Sequence, residues 1–284
     1  MRPTNSIQLS VSIAKQSDRP LIARLSRRAS GRSDYVLRIL PTVVARGGLF
    51  LAWKDSELLG MTNFDKCIDG SGWLSMARTD PDYRRRGVAT FLQHKIAAYA
   101  RRKGVRTLRL LVSSENKASL AACKKGGFKR VSEVAHISCN LRTKRPREKV
   151  GASLVSRTQL QPLLKSHYLA KAGGYIGYRR NFIKLTKRVL TRLRDEGELY
   201  SLGGSAFLVS RPERTFRIPR SSLAIIQSPT GKALIGAKEI ALGLGARTLS
   251  CYTPYRAYEI SVARRLGFTS RPWGRHCVVF EKKI

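Results

Sequence analysis

Apolar side chains fall on every second position of Ile7–Ile13 (IQLSVSI), the signature of a half-buried strand. Asp18-Arg19-Pro20 then predicts a helix start, with Asp18 as N-cap, Pro20 in the first turn, and Leu21, Ile22 and Leu25 on the apolar face. A second amphipathic stretch opens at Asp34-Tyr35, runs to Val44 and is closed by Gly47-Gly48. Leu49–Trp53 and Leu58–Phe64 read as strands joined by the polar turn Lys54–Glu57. Trp73–Arg78, after the turn Asp69–Gly72, reads as a third strand, so the three predict an antiparallel meander.

The period then changes. Beyond Arg84–Gly87, apolar positions Phe91, Leu92, Ile96, Ala97, Tyr99 and Ala100 share one side of a helix that Gly104 ends. Thr107–Val112 predicts a strand, Ala118–Lys125 a short helix and Phe128–Cys139 a returning strand. The order β-α-α-β-β-β-α-β-α-β places the chain in the α/β class (α+β mixed sheet) with a central strand–loop–helix unit. Farther on, Tyr178–Arg194 reads as a helix with a solvated basic face.

Composition narrows the function classes. Hydrophobic residues make up 42% of the 284, enough for packed cores. No apolar run approaches the roughly 18 residues of a membrane-spanning helix, and the N-terminus lacks the apolar stretch of a secretory signal. The five cysteines include no C-x-x-C pair and the four histidines are scattered, so no metal is expected. An odd cysteine number without a signal segment points to reduced thiols and a cytoplasmic location.

The formal charge is +37. Residues 1–150 carry 31 Lys and Arg against 11 Asp and Glu, and residues 151–284 carry 24 against 7, so the excess belongs to both halves. Its densest run, Arg142–Lys149, has the look of a basic linker. Such a charge attracts polyanions, nucleic acid included, and anionic small molecules, although no zinc-finger spacing or RNA-recognition signature accompanies it.

Arg84–Thr90 carries the chemistry. A strand ends, the chain turns, and a helix begins behind Gly87; the N–H groups of a helix start point outward and favour an anion, with arginines alongside. Thr79-x-Pro81-x-Tyr83-Arg84-x-x-Gly87-Val88-Ala89 resembles the acetyl-CoA loop V-x-P-x-Y-[RQ]-x-x-G-[IVL]-[GA] of the GNAT (Gcn5-related N-acetyltransferase) family. Asn116–Phe128 resembles the family's second block, N-x-x-A-x-x-L-Y-x-K-x-G-F. Asn116, Lys125, Gly127 and Phe128 match, while Ser119, Ala122 and Cys123 stand for Ala, Leu and Tyr. The resemblance covers roughly residues 7–140.

It implies acetyl-CoA as co-substrate and direct transfer of the acetyl group to an amine. The backbone N–H groups of Arg85, Arg86, Gly87, Val88, Ala89 and Thr90 would cradle the pyrophosphate, with Arg84 beside them. The main chain around Arg78 and Thr79 would hold the pantetheine arm and acetyl carbonyl. Asn116, with Ser119 in the same block, would hold the CoA chain; Asn116 also reads as a helix N-cap. The family's usual acid, a tyrosine, is Cys123 here. A thiol can protonate the leaving thiolate, and a small buried helix residue is the other reading of this position. Trp73–Arg78 holds no acid to act as base; Asp65, Asp69, Asp80 and Glu115 are the nearby carboxylates, and none is assigned.

The end of the chain echoes the first half. Gly245–Leu249 matches Gly104–Leu108 in spacing, and Ala257–Phe268 echoes Ala118–Phe128, with Arg256 at the place of Asn116 and Ala263 at that of Cys123. Ser228-Pro229-Thr230-Gly231-Lys232 replaces the arginine–glycine loop, and Gly231-Lys232 is the one candidate for a retained anion site. This resembles a tandem arrangement, two GNAT-like acyl-CoA N-acyltransferase domains of which the second walls the acceptor pocket. The expected domains are a catalytic one at 7–142, a basic linker at 143–157 and a degenerate one at 158–284. Asp34-Tyr35 resembles the acceptor-side segment of tandem members that acylate amino acids. The first expectation is thus a small-molecule amine acceptor such as an amino acid. An RNA- or RNP-associated amine, and a non-catalytic nucleic-acid-binding protein of the same fold, are the alternatives.

Overall fold

The computed structural model describes residues 8–141, 151–213, 218–254, 259–270 and 276–284. The chain divides into two compact units, one reaching Arg109 and including Lys282–Ile284, the other Leu110–Glu281.

The first unit holds β1 (Ser10–Ile13), α1 (Arg19–Ser30), α2 (Val36–Arg46), β2 (Leu49–Lys54), β3 (Glu57–Lys66), β4 (Gly72–Thr79), α3 (Val88–Arg102) and the start of β5 (Thr107–Ser113). Its strands run in the order β1-β2-β3-β4-β5, antiparallel up to β4. β4 and β5 are parallel, with register Gly72↔Leu108 and Trp73↔Arg109. β3 is buried at every position from Leu58 to Phe64 because α1 and α3 both pack on it, which removes the alternation of a one-faced strand. Gly60 makes that packing close: a Cβ there would meet Val88 Cγ1 at 2.6 Å.

The expected helices and strands of this half are present, with one local difference. Asp18 precedes α1, but its carboxylate turns back to accept the Lys15 N–H at 2.7 Å. A 3-10 turn over Gln16–Asp18 holds Asp18 in a helical conformation, so its side chain cannot fold forward over the helix start.

The second unit continues β5 and adds α4 (Lys117–Lys125), β6 (Lys129–Asn140), β7 (Ser153–Leu154), α5 (Leu160–Leu164), α6 (His167–Lys171), β8 (Tyr175–Tyr178), β9 (Asn181–Lys184), α7 (Lys187–Asp195), β10 (Leu199–Leu202), β11 (Ser205–Val209), β12 (Arg220–Gln227), α8 (Gly231–Gly243), β13 (Thr248–Pro254), α9 (Glu259–Arg265), β14 (Thr269–Ser270) and β15 (Cys277–Lys283). The sheet order here is β15-β6-β13-β12-β11-β10-β7, with β14 against β6 and β8–β9 a separate hairpin. β7-β10-β11-β12-β13 has the order and senses of β1 to β5: three antiparallel steps, then a parallel pair joined through a helix. α8, α9 and the strands beneath them enclose a core of Leu223, Ile225, Leu234, Ala237, Leu249, Cys251 and Phe268.

Three expectations shift in this unit. The helix expected over Tyr178–Arg194 is a hairpin followed by a shorter helix: β8 and β9 turn at Arg179 (φ 55), and only α7 is helical. Gly177 lies on Tyr252 with no room for a Cβ (2.7 Å), and Phe182 meets the same ring at 4.8 Å. That packing draws the segment out flat, whereas its arginines and apolar residues imitate helical spacing. Ser153–Leu154, within the expected linker, is a strand paired with β10; Arg142–Lys149 lies outside the described residues. The compact units also divide after Arg109, because β6 pairs with β13 from Val134 to Asn140 and so belongs with the second unit. No helix among the described residues is long and apolar enough to cross a membrane.

Candidate functional site

The junction of β4 with α3 is irregular in a directed way. Met61 pairs with Arg78 and Asn63 with Ser75, so Met76 and Ala77 together face Thr62 alone. Met76 takes up this bulge with φ 57; its side chain is buried and Ala77 is exposed. Past Thr79, Asp80 caps the turn Pro81–Tyr83 by accepting the Asp82 N–H at 3.1 Å. Arg28 of α1 holds that turn, at 3.0 Å from Asp80 and 2.8 Å from Asp82.

The loop then reverses handedness twice. Arg84 is extended, Arg85 has φ 63 and Gly87 has φ 85. Left-handed residues in such a sequence turn successive N–H groups toward one side, a concavity suited to an anion. α3 begins behind Gly87, which offers no capping side chain, and its first bond runs from Phe91 N–H to Gly87 O at 2.9 Å. The N–H groups of Val88, Ala89 and Thr90 therefore have no acceptor within the helix, and Ala89 and Thr90 are exposed. Around Gly87 a Cβ would find open space; the positive φ is what favours glycine.

The loop arginines differ in how free they are. Arg84 donates to Ala29 O of α1 at 3.0 Å. Arg86 lies over the Tyr83 ring at 5.5 Å, and Tyr83 donates to Glu57 Oε2 at 2.8 Å. That bond raises the Tyr83 pKa, so the phenol keeps its proton. Arg85 is exposed and enters no ion pair among the described residues. Arg78 points its guanidinium at Asp34: Nε to Oδ2 at 2.9 Å and Nη2 to Oδ1 at 2.7 Å.

A helix start behind two left-handed residues and three arginines has the donors and charge to hold an anion, and residues 23–128 match the model of the Acetyltransferase (GNAT) family. This stretch of the chain is similar to GNAT sequence. Solved structures share the fold. A GCN5-related N-acetyltransferase from Sphaerobacter thermophilus is 14% identical, with 97% of this chain and 95% of that one aligned and a TM-score of 0.59. A protein of Thermoplasma acidophilum described as an acetyltransferase is 14% identical over 97% of this chain and 100% of its own, with a TM-score of 0.61. One from Pyrococcus horikoshii, similarly described, is 19% identical over 97% and 89%, at 0.57. No curated protein matches the sequence.

Of the residues assigned by GNAT resemblance, Arg78, Thr79 and Arg84–Thr90 stand together at this junction. Asn116, Ser119 and Cys123 lie on α4 of the second unit. Asn116 is the N-cap of α4, its Oδ1 accepting the Ser119 N–H at 3.0 Å. Cys123 is buried, and burial pushes its thiol up to about 11, so it is protonated at neutral pH, the state a proton donor requires.

The carboxylates divide clearly. Asp80 is buried against Arg28. Asp69 is buried, paired with Arg109 at 2.5 Å and bonded by Ser71. Asp65 accepts from Asn63 and sits opposite Trp73, six residues and about 20 Å along β4 from Thr79. Glu115 is exposed in the turn before α4. No group of three or more His, Cys, Asp or Glu that could hold a metal occurs among the described residues. The bulge at Met76 and the Asp34–Arg78 pair escaped the sequence reading: the first has no residue signature, and the second joins positions 44 apart.

Proposed function

We propose that the chain is an acetyl-CoA-dependent N-acetyltransferase. One observation carries this reading: α3 starts uncapped behind a left-handed glycine, its first N–H groups without an acceptor in the helix and Arg85, Ala89 and Thr90 exposed. Two phosphates of a CoA pyrophosphate would satisfy those donors and gain from the helix dipole. The register of β4 with β5 ends at Trp73↔Arg109, and β4 runs on for six residues. That length of main chain, bulge included, offers amide groups to a pantetheine arm and an acetyl carbonyl. The amine nitrogen then attacks the thioester carbonyl, the C–S bond breaks, and the proton the nitrogen gives up balances the one the CoA thiolate takes.

The second unit is read as a GNAT-like domain without a CoA site. Its strand order, the echoing sequence, and fold likeness over 97% of the chain to three solved structures support the tandem reading. A small amine is the first-choice acceptor, and the positive charge favours one that also carries anionic groups, such as an amino acid. The same charge supports the second reading, an amine on RNA or an RNA-bound protein.

Calorimetry of acetyl-CoA on protein stripped of nucleic acid in high salt, beside Gly87→Glu, tests the proposal. Micromolar binding at one site per chain, abolished by the variant, is expected. No binding by the wild type, or binding indifferent to the variant, overturns it.

A further inference from the structure

Asp34 has a side-chain exposure of 2% and accepts from four donors. Ser26 Oγ of α1 donates at 2.5 Å, the Val36 N–H of α2 at 3.3 Å, and two Arg78 nitrogens form the fork already described. Burial raises the pKa of Asp34, but the hydrogen bonds from Arg78 and Ser26 outweigh it and hold the carboxyl below its ordinary value. The third guanidinium nitrogen of Arg78, Nη1, donates to Ala77 O at 2.9 Å, and the Tyr35 ring lies 5.6 Å from its Cζ.

Ala77 is the exposed residue of the β4 bulge. A bulge leaves its extra residue outside the regular ladder, so something else must hold the peptide plane between Ala77 and Arg78. Here that holder is the Arg78 side chain, which is itself fixed by Asp34, which is fixed by α1 and α2. The chain of bonds ends on the main chain that receives the acetyl carbonyl in the reading above, on which this inference rests.

We propose that the Asp34–Arg78 fork is a positioning pair that preorganises the β4 bulge for the thioester carbonyl. An ion pair serving only to tie helix to strand would have no need of the bond to Ala77. Lysine could not replace Arg78, because a single ammonium cannot fork onto Asp34 and reach Ala77 O together.

The test compares CoA with acetyl-CoA on the wild type, Asp34→Asn, Arg78→Lys and the neutral double variant Asp34→Asn/Arg78→Met. The readouts are calorimetric affinity and the infrared carbonyl band of acetyl-CoA labelled with carbon-13 at the thioester. CoA should bind the wild type and Asp34→Asn within about twofold, and each Arg78 variant is read against its own CoA affinity. In the variants, acetyl-CoA should lose about tenfold relative to CoA, the worth of one carbonyl hydrogen bond, and the band should shift back toward its solution position. The double variant leaves no buried charge unpaired, so it separates folding from positioning. Wild-type affinity ratio and band in the double variant, with only the melting temperature changed, overturn the inference. CoA binding by the wild type with all variants unaltered overturns it alone; no CoA binding by the wild type overturns the proposed function, and this inference with it.

Discussion

α3 and α8 occupy the same topological place, each joining the two parallel strands of its unit, yet their first turns are opposites. α3 begins at a glycine with φ 85, behind Arg84-Arg85-Arg86, with no side chain capping its leading N–H groups. α8 begins at Thr230, whose Oγ1 accepts the Ala233 N–H at 3.1 Å and meets Ser205 Oγ at 3.0 Å. Ser205 in turn donates to Ser228 O, so the short loop of the second unit is tied to β11. The parallel pairs differ too: β4 and β5 share two register pairs, β12 and β13 four. A helix start with no capping side chain leaves all its leading donors to an outside acceptor, whereas the Thr230 hydroxyl already takes one of those of α8.

Exchanging the features breaks the comparison at its strongest point. Gly87→Glu puts a carboxylate and a strained backbone in the seat of α3 and is expected to abolish acetyl-CoA binding. Gly231→Glu at the start of α8, where a Cβ meets only Val262 at 3.9 Å, is expected to leave it unchanged by calorimetry. Equal loss from both would mean that the second unit also binds CoA.

Where the sequence echoes itself, the two copies should respond alike. Phe128 and Phe268 are both buried just after a left-handed glycine, each donating its N–H at 3.0 Å to the helix residue five before it, Cys123 or Ala263. Phe128→Ala and Phe268→Ala should each cost about 3–5 kcal/mol in urea unfolding. A cost near zero for either would show that the sequence echo does not mark equivalent packing.

These two aromatic positions also mark what could be read beforehand. Gly104, Gly127, Gly245 and Gly267 all adopt positive φ where the repeated spacing placed a helix end. The arginine–glycine loop was legible because its function depends on residue types within a few positions of one another. The path of Tyr175–Lys184 was not, since the ring of Tyr252, some seventy positions away, decides it.

A smaller effect sharpens the contrast between the helix starts. Thr230→Ala removes the α8 cap and should cost about 1 kcal/mol of stability, while acetyl-CoA affinity stays as in the wild type. A fall in affinity would contradict the division of roles.

The smallest expected effect is that of pH. The depressed pKa of Asp34 gives a contribution to stability that is full above the ordinary carboxylate value of about 4 and lost as pH falls through the depressed value. The stability gap between wild type and Asp34→Asn, followed by chemical unfolding, should therefore be widest at neutral pH and close in acid. A gap constant down to pH 2 would mean that the carboxylate charge contributes nothing.

The sequence by itself determined the elements of the first unit, the glycine-led helix start and its arginines, and the repetition near the chain's end. All are local: hydrophobic period, turn chemistry and spacing act within one element or its neighbours. Tertiary structure alone decided the pairing of β6 with β13, the hairpin β8–β9, the bulge at Met76 and the fork from Arg78 to Asp34. Each joins or bends segments according to which surfaces meet, and no short stretch of sequence carries the energy of a contact made with a distant one.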